Sequence, residues 1–384
     1  MESLIYIFIN TVETCLRMAP FPAKTGLIRI GNPDRNSPVL LTCNYHLTVQ
    51  RMKRALRGLD AFLLVANSRG INVWCAATGG LFTNHDAVSV LKTSGIEDLV
   101  DHREVILPQL AATGLERKVI KKKTGWKGIW GPVEAMDIKE FLANGETKIE
   151  SMRQVEFPMV RRFEMAVAWA FLISIFFTAI LSAFWKGAII PVVMLTWGVA
   201  LLVFLAFPLY EQWLNPKTER VGFVLFDFGR GGFQLILLAV VLVVLVGLSM
   251  GPESFDWGFF LRWGIVCSIV ILLVSIDLMG STPVYKSGLH KDRMFTIELD
   301  EKRCRGAAFC EQVCPRNCYE VDQEKHLATR PRADLCVQCG ACIVQCPFDS
   351  LFFKSPKGEI ILPESIRKFK LNMMGKRTMN TGDR

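Results

Sequence analysis

The sequence predicts a multidomain chain. An α/β domain covers residues 1–150, a transmembrane domain of four helices covers 151–280, and a small α+β domain covers 281–384. Three observations predict it. Short apolar runs alternate with helix-spaced segments through the first 150 residues, and four long apolar stretches follow. Eight of the twelve cysteines then fall between Cys304 and Cys346. A chain of 384 residues has room for two or three domains.

In the first part, Pro38 to Thr42, Ala61 to Ala66 and Arg103 to Leu107 read as strands. Leu47 to Leu56 has helical spacing behind Asn44, and Asn84 to Lys92 reads as a capped helix with Asp86 in its first turn. Asp137-x-x-Glu140 opens another short helix before Gly145. That order predicts a largely parallel sheet. Ligands on such sheets sit beyond the carboxyl ends of the strands, here Asn44 to Thr48, Asn67 to Gly79 and Pro108 to Leu110. The chain has no Walker loop, no G-x-G-x-x-G, no Ser–His–Asp pattern and no H-E-x-x-H.

The segment Ile71 to Ala77 is the most telling in this domain. Asn72 is a good N-cap, which puts Cys75 at the third helical position. A thiol there feels the helix dipole and has its pKa lowered, as a metal-ligating or nucleophilic cysteine requires. A single cysteine beside a tryptophan on an apolar stretch is equally a common core residue, and the spacing leaves both readings open. Cys15, Cys43 and Cys267 read as core residues.

The middle of the chain explains why 51% of residues are hydrophobic and why mean hydropathy reaches +0.30. Met165 to Trp185, Ala188 to Tyr210, Phe233 to Met250 and Trp257 to Leu278 each approach the ~20 apolar residues that cross a bilayer. Lys148, Arg153, Arg161 and Arg162 precede the first stretch. Lys217, Arg220 and Arg230 lie between the second and third, and Lys286, Lys291 and Arg293 follow the fourth. The other side has only Lys186 in one turn, against Glu253 and Asp256 in the other. The positive-inside rule therefore predicts a multi-pass protein of the cell membrane with both flanking domains cytoplasmic. Net charge +9 comes largely from these flanks and a basic tail that includes Arg367, Lys368, Lys370, Lys376 and Arg377. No basic stripe is interleaved with aromatics, so the charge points to membrane lipid as partner and not to nucleic acid. The apolar run Leu4 to Ile9 is too short to span and lacks a basic n-region; it reads as an interfacial helix, not a signal peptide.

The cysteines carry the chemistry. Cys336, Cys339, Cys342 and Cys346 read C-x2-C-x2-C-x3-C with Pro347 next, the run that holds cubane iron–sulfur clusters. In such runs three cysteines hold one cluster and the fourth crosses to the other. Crossed ligation gives one complete [4Fe-4S] site from Cys314, Cys336, Cys339 and Cys342. The other run places Ala307 where its second cysteine belongs, leaving Cys304, Cys310 and the crossing Cys346. Three thiolates predict a [3Fe-4S] cluster or a labile [4Fe-4S] cluster with an open iron. Twelve cysteines in a cytoplasm-facing protein fit metal and redox chemistry, not disulfides.

Two resemblances extend this reading. Cys314-Pro-Arg-Asn-Cys-Tyr-Glu resembles the matching stretch of seven-iron ferredoxins, which implies that Cys318 packs near the intact cluster without ligating iron. The whole cysteine-rich part looks like a bacterial-type two-cluster ferredoxin. Asn72-Val-Trp-Cys-Ala-Ala resembles the cap-helix signature of the mercury-methylating corrinoid protein family. That family is related to the large subunit of the corrinoid iron–sulfur protein. The similarity extends from Arg29-Ile-Gly-Asn-Pro through Val39-Leu-Leu-Thr-Cys-Asn-Tyr and Gly58-Leu-Asp-Ala to Ile106-Leu-Pro-Gln-Leu and Gly131-Pro-Val.

The resemblance implies a corrinoid (cobalamin) whose cobalt is ligated from the lower face by Cys75. Contacts would come from Asn44, Thr48, Asn72, Val73, Trp74, Ala76, Ala77, Gly79, Pro108, Gln109 and Gly131. The chain departs from the family at Thr78-Gly79-Gly80, where the family has Gly-Lys, and it has no cysteine after Cys346. The family's usual partner is a small two-cluster ferredoxin, so this chain looks like both fused. The implied function is a corrinoid-dependent methyl carrier or methyltransferase, possible mercury methylation included, with the ferredoxin reducing cobalt. Implied partners are a methyl-donor protein or methyl-folate-type donor and a low-potential electron donor. The alternative is a membrane-anchored electron carrier whose α/β domain is only a docking module.

Overall fold

The computed structural model describes residues 2–17, 19–214, 233–251, 254–275, 295–355, 357–371 and 377–379. These fall into two compact units. One joins Met1–Met18 with Phe157–Leu289, and the other joins Ala19–Glu156 with His290–Arg384. The two terminal thirds of the chain therefore share one unit. Residues 276–294, with Lys286, Lys291 and Arg293, and the stretch holding Lys217, Arg220 and Arg230 lie outside the described residues.

In chain order, helix α1 (Glu2–Cys15) contains the short apolar run and packs along a later helix of its own unit. Strands β1 (Gly26–Ile30), β2 (Val39–Cys43) and β3 (Ala61–Ala66) then begin the α/β domain. β4 (Glu104–Leu107) and β5 (Lys127–Trp130) complete a five-stranded sheet of order β1-β3-β2-β4-β5. β2 pairs in parallel with β3 and β4, and β4 in parallel with β5, while β1 runs antiparallel to β3 at the edge. β2 and β3 are buried along their whole length, as unbroken apolar strands between two covering layers must be. Sequence reading found β2, β3 and β4 but not β1 or β5. β1 is half-exposed and interrupted by Arg29, and β5 is four residues with a glycine, so neither shows a clear period.

The crossover helices are α2 (His46–Ala55), α3 (Val73–Thr78), α4 (Asn84–Thr93), α5 (Arg117–Thr124) and α6 (Ile138–Ala143). α2 starts at Tyr45 without a side-chain cap, because Asn44 is engaged elsewhere. α4 opens with a reciprocal capping box between Thr83 and Asp86. One core lies on one side of the sheet and includes Leu41, Leu64, Leu107 and Trp126, and a second includes Leu40, Leu63, Ile106 and Phe141.

In the other unit, α7 (Met159–Phe184) runs 26 residues. α8 (Ile189–Leu205) reaches 20 with the 3-10 turn at Lys186–Ala188. The chain breaks there and restarts as α9 (Phe207–Leu214), so the second expected stretch is two helices. α10 (Phe233–Ser249) is 17 residues and α11 (Trp257–Ser275) is 19. Among the described residues, three helices are long and apolar enough to cross a membrane, and α10 falls short of that length. α7 packs along α8, and α11 along α10 and α8. Phe163, Phe176, Phe184, Met194, Val243 and Ile265 stand exposed, an apolar surface that water would not favour. Glu164 on α7 takes Arg161 at 3.1 Å and Arg17, just past α1, at 3.4 Å.

The C-terminal part returns to the unit of the α/β domain. Strand β6 (Thr296–Leu299) pairs with β9 (Leu351–Lys354), which also pairs with β10 (Ile360–Ile361). Between β6 and β9 lie α12 (Phe309–Val313), the hairpin β7 (Glu320–Asp322) and β8 (Leu327–Thr329), and α13 (Ala341–Gln345). α14 (Pro363–Lys368) and the pair β11 (Phe369–Leu371) and β12 (Arg377–Met379) close it.

Candidate corrinoid and iron–sulfur sites

Helix α3 begins as the sequence implies. Asn72 has extended backbone, and its Oδ1 accepts the Cys75 N–H at 3.0 Å, which places Cys75 at the third helical position. Cys75 is half-buried. Thr78 Oγ1 bonds back to the Trp74 carbonyl at 2.8 Å, and Gly79 closes the helix by donating to the Cys75 carbonyl at 3.0 Å. The helix is six residues long, so its hold on Cys75 comes from Asn72 and from packing more than from helical propensity.

The other residues expected around a corrinoid divide into two groups. Thr48, Asn72, Val73, Gly79 and Pro108 are half-buried at or near the carboxyl ends of β2, β3 and β4. Asn44, Trp74, Ala76, Ala77, Gln109 and Gly131 are buried. Asn44 Oδ1 accepts from Ser68 N at 2.8 Å, Ser68 Oγ at 3.0 Å and Gly70 N at 3.0 Å, so its amide ties down the loop after β3. Ala76 and Ala77 are fully enclosed in the core. Gln109 accepts Lys148 Nζ at 2.5 Å and donates to the Arg153 carbonyl at 2.7 Å. These residues shape the site from behind. Gly131 donates to the Leu107 carbonyl at 2.9 Å, and a Cβ there would come within 2.7 Å of Ile106 Cγ2, so a glycine is needed beside β4.

The same end of the sheet suits a bulky ligand in one further respect. Trp130 Nε1, buried at the end of β5, has no hydrogen-bond partner among the described residues, and an unpaired buried donor is costly unless a ligand or water satisfies it. Together with the half-buried Cys75 thiol, these groups are compatible in their chemistry with a corrinoid-binding domain.

Lys148 lies between the α/β domain and α12, donating to Gln109 Oε1 and to the Gln312 carbonyl at 2.7 Å. Burial, helped by neighbouring Arg153, pulls its pKa down to about 7. Arg153 is paired with Glu311 at 2.6 Å.

The C-terminal cysteines gather into two groups. One small cavity is lined by Cys314, Cys336, Cys339 and Cys342, with Pro315, Cys318 and Tyr319. These four are the crossed set expected for the complete cluster. Cys310, by contrast, lies within electrostatic reach of Cys346 and Cys304, and its thiol is pushed up to about 12, chiefly by burial and then by those two. Backbone N–H groups already point at the sulfurs: Cys318 N to Cys314 Sγ at 3.3 Å, Gln338 N to Cys336 Sγ at 3.4 Å, Ser350 N to Cys346 Sγ at 3.4 Å. Such bonds stabilise thiolates and tune cluster potential. Among the described residues no three of these side chains converge closely enough to hold a single metal ion, and the four around the cavity are the set that would hold a cluster, each thiolate on its own iron.

Cys318 sits with the second group. Its thiol is a donor to Cys314 and Cys336, which raises its own pKa, while the bond from Cys318 lowers that of Cys314. Sequence reasoning missed Tyr319, whose hydroxyl donates to Cys342 Sγ at 3.2 Å while the ring is buried. Its place beside Cys318 was the available signal. At the first group, Ala307 is half-buried beside Gly306, where a Cβ would come within 2.7 Å of His326 Cα.

Comparison with known proteins agrees with this division. Residues 11–142 match the family described as CO dehydrogenase/acetyl-CoA synthase delta subunit, and residues 331–352 match the 4Fe-4S binding domain. The N-terminal domain is of the first type and the C-terminal domain of the second. The second match contains Cys336 to Cys346, while the irregular run from Cys304 to Cys318 lies before it.

Among curated relatives, the acetyl-CoA decarbonylase/synthase complex subunit gamma of Methanocaldococcus jannaschii is 37% identical over 132 residues, covering 34% of this chain and 27% of that protein. Its counterpart in Methanopyrus kandleri is 36% identical over 125 residues, covering 32% and 27%. The corrinoid/iron-sulfur protein large subunit of Moorella thermoacetica is 28% identical over 124 residues, covering 32% and 27%. The chain thus spans about a quarter of the length of the curated relatives it matches.

Proposed function

We propose that this chain is a corrinoid-dependent methyl carrier or methyltransferase whose C-terminal ferredoxin domain keeps the cofactor reduced. The observation that carries the reading is the half-buried Cys75 on an Asn72-capped helix start, in a domain matching the acetyl-CoA synthase delta family. The Moorella relative, a corrinoid/iron-sulfur protein by name, supports the cofactor. Bound corrinoid supplies a cobalt that takes up and releases a methyl group. Cys75 would hold it through its thiol, Asn72 would set the direction of that thiol, and Thr48, Val73, Gly79 and Pro108 would line the site.

Cys314, Cys336, Cys339 and Cys342 hold a [4Fe-4S] cluster, and Cys304, Cys310 and Cys346 hold a [3Fe-4S] or labile [4Fe-4S] cluster. The helices α7, α8, α10 and α11 place the protein in the cell membrane, with lipid around their exposed apolar side chains and both soluble domains on the cytoplasmic side. A methyl-donor protein or methyl-folate-type donor loads the cofactor, and a low-potential electron donor charges the clusters. Mercury(II), a thiol and a carbonyl-branch enzyme are all open as acceptors, and Thr78 and Gly79, which stand where the mercury-methylating family has glycine and lysine, weaken the case for mercury.

The test is the visible spectrum of protein prepared without oxygen and reconstituted with cobalamin. We expect binding with the nucleotide base off cobalt, and Cys75→Ala shifts the cobalt bands without loss of iron. Methylated protein is then offered mercury(II) or a thiol, and the product identifies the acceptor. If cobalamin in excess does not bind, the reading fails and the chain is a membrane-anchored electron carrier.

A further inference from the structure

The segment that follows β4, Gln109–Leu115, meets two different parts of its unit. Helix α3 lies directly against it: a Cβ on Gly114 would come within 3.1 Å of Ala77 Cα and 2.3 Å of the Phe82 carbonyl oxygen. The ferredoxin domain grips the same seven residues through their backbone. Gln345 Nε2 donates to the carbonyls of Ala112 at 2.7 Å and Leu115 at 2.6 Å, and Lys370 Nζ donates to the carbonyl of Thr113 at 2.7 Å. Gln345 and Lys370 are 8% and 4% exposed, so these are buried bonds to turn carbonyls that would otherwise need water.

Gln345 is the last residue of α13, which begins beside Cys342 and ends at Cys346, so one side chain anchors a helix shared by both cysteine groups. The apolar contact is specific too. Cys339, with Val313 and Ala341, packs into the same core as Ala76 and Ala77, whereas the other seven C-terminal cysteines lie in the ferredoxin's own core. A tethered domain that visits and leaves would expose Val313 and Ala341 and strand the three carbonyls at each departure.

We infer that Gln109–Leu115 is a fixed seat for the ferredoxin domain and that Gln345 is the positioning residue that holds the second cysteine site, through Cys339, against the core carrying the Cys75 helix. This deepens the proposed function: the reductant is mounted on the corrinoid domain through the segment that also packs α3. Gly114 and Gln345 act through others and touch no reacting atom.

The experiment uses the full chain, with clusters and cobalamin reconstituted, comparing the parent with Gln345→Leu and Lys370→Met. Amide exchange is followed over residues 109–116, together with iron content and the rate at which dithionite reduces the bound cobalamin. In Gln345→Leu we expect exchange at Ala112 to Glu116 to be about tenfold faster, as loss of two buried hydrogen bonds predicts. Iron content and cobalamin binding stay unchanged, and cobalamin reduction slows. Unchanged exchange overturns the seat. Faster exchange with an unchanged reduction rate overturns the positioning role. If Gln345→Leu loses its clusters, Lys370→Met, which leaves α13 intact, gives the same readouts. If the parent binds no cobalamin, the functional proposal falls while the exchange measurement still decides the seat.

Discussion

At Ala307 a single methyl group stands where the regular cluster run has a thiolate. In the proposed assignment its consequence is chemical: the group of Cys304, Cys310 and Cys346 would have one ligand fewer than the group of Cys314, Cys336, Cys339 and Cys342. In that assignment Cys318 is not the replacement, since it is buried and lines the cavity of Cys314, Cys336, Cys339 and Cys342. Air-exposed protein should show the paramagnetic signal of an oxidised [3Fe-4S] cluster, with the second cluster silent until strongly reduced. Ala307→Cys should abolish that signal and give a more stable [4Fe-4S] site of lower potential, because a fourth thiolate adds negative charge. Cys318→Ser should leave the first cluster's signal intact; its disappearance would make Cys318 the missing ligand. The ligand sets are proposed from spacing, and the place of Cys318 from the resemblance to seven-iron ferredoxins. The hydroxyl of Tyr319 on Cys342 Sγ was not legible in the sequence, because the bond joins residues 23 apart across a fold.

Among the elements, α3 is the one on which the proposed chemistry depends, and at six residues it is too short to be stable by itself. Asn72 supplies its N-cap, and Ala76 and Ala77 bury its inner face. Asn72→Ala should destabilise this turn by about 1 kcal/mol, the usual value of an N-cap. The rest of the sheet should be unaffected. Amide exchange at Cys75 and Ala76 should speed up and bound cobalamin should dissociate faster, with Asn72→Ser restoring both. Equal cobalamin dissociation from Asn72→Ala and the parent would show that the cap does not set the thiol's position. The cap was readable because a local hydrogen bond needs only neighbours in sequence. The roles of Asn44 and Gln109 were not readable. Both sit at strand ends where a ligand was expected, yet Asn44 bonds to Ser68 and Gly70, and Gln109 to Lys148 and Arg153.

For the whole molecule, the proposed topology rests on loop charges, and it has a direct test. Labels at Glu253 should react from outside the cell and those at Arg384 only from inside. A carboxyl terminus found outside would mean an odd number of crossings. α10, with 17 described residues, would be the helix to re-examine, and the ferredoxin could not then face the corrinoid domain.

What the sequence determined by itself follows a clear physical line. Cysteine spacing, apolar length and N-cap chemistry are properties of near neighbours, so the 4Fe-4S domain, the long helices and the start of α3 were all present in the order of residues. The tertiary structure alone decided what depends on distant partners. Residues 19–156 and 290–384 form one compact unit, although the long apolar helices separate them in the chain. Cys339 rests in the α/β core, Gln345 grips the carbonyls of Ala112 and Leu115, and buried Lys148 bridges Gln109 and the Gln312 carbonyl. None of these pairs has a local signature, because backbone carbonyls and apolar surfaces are common to all residues and only folding selects which of them meet.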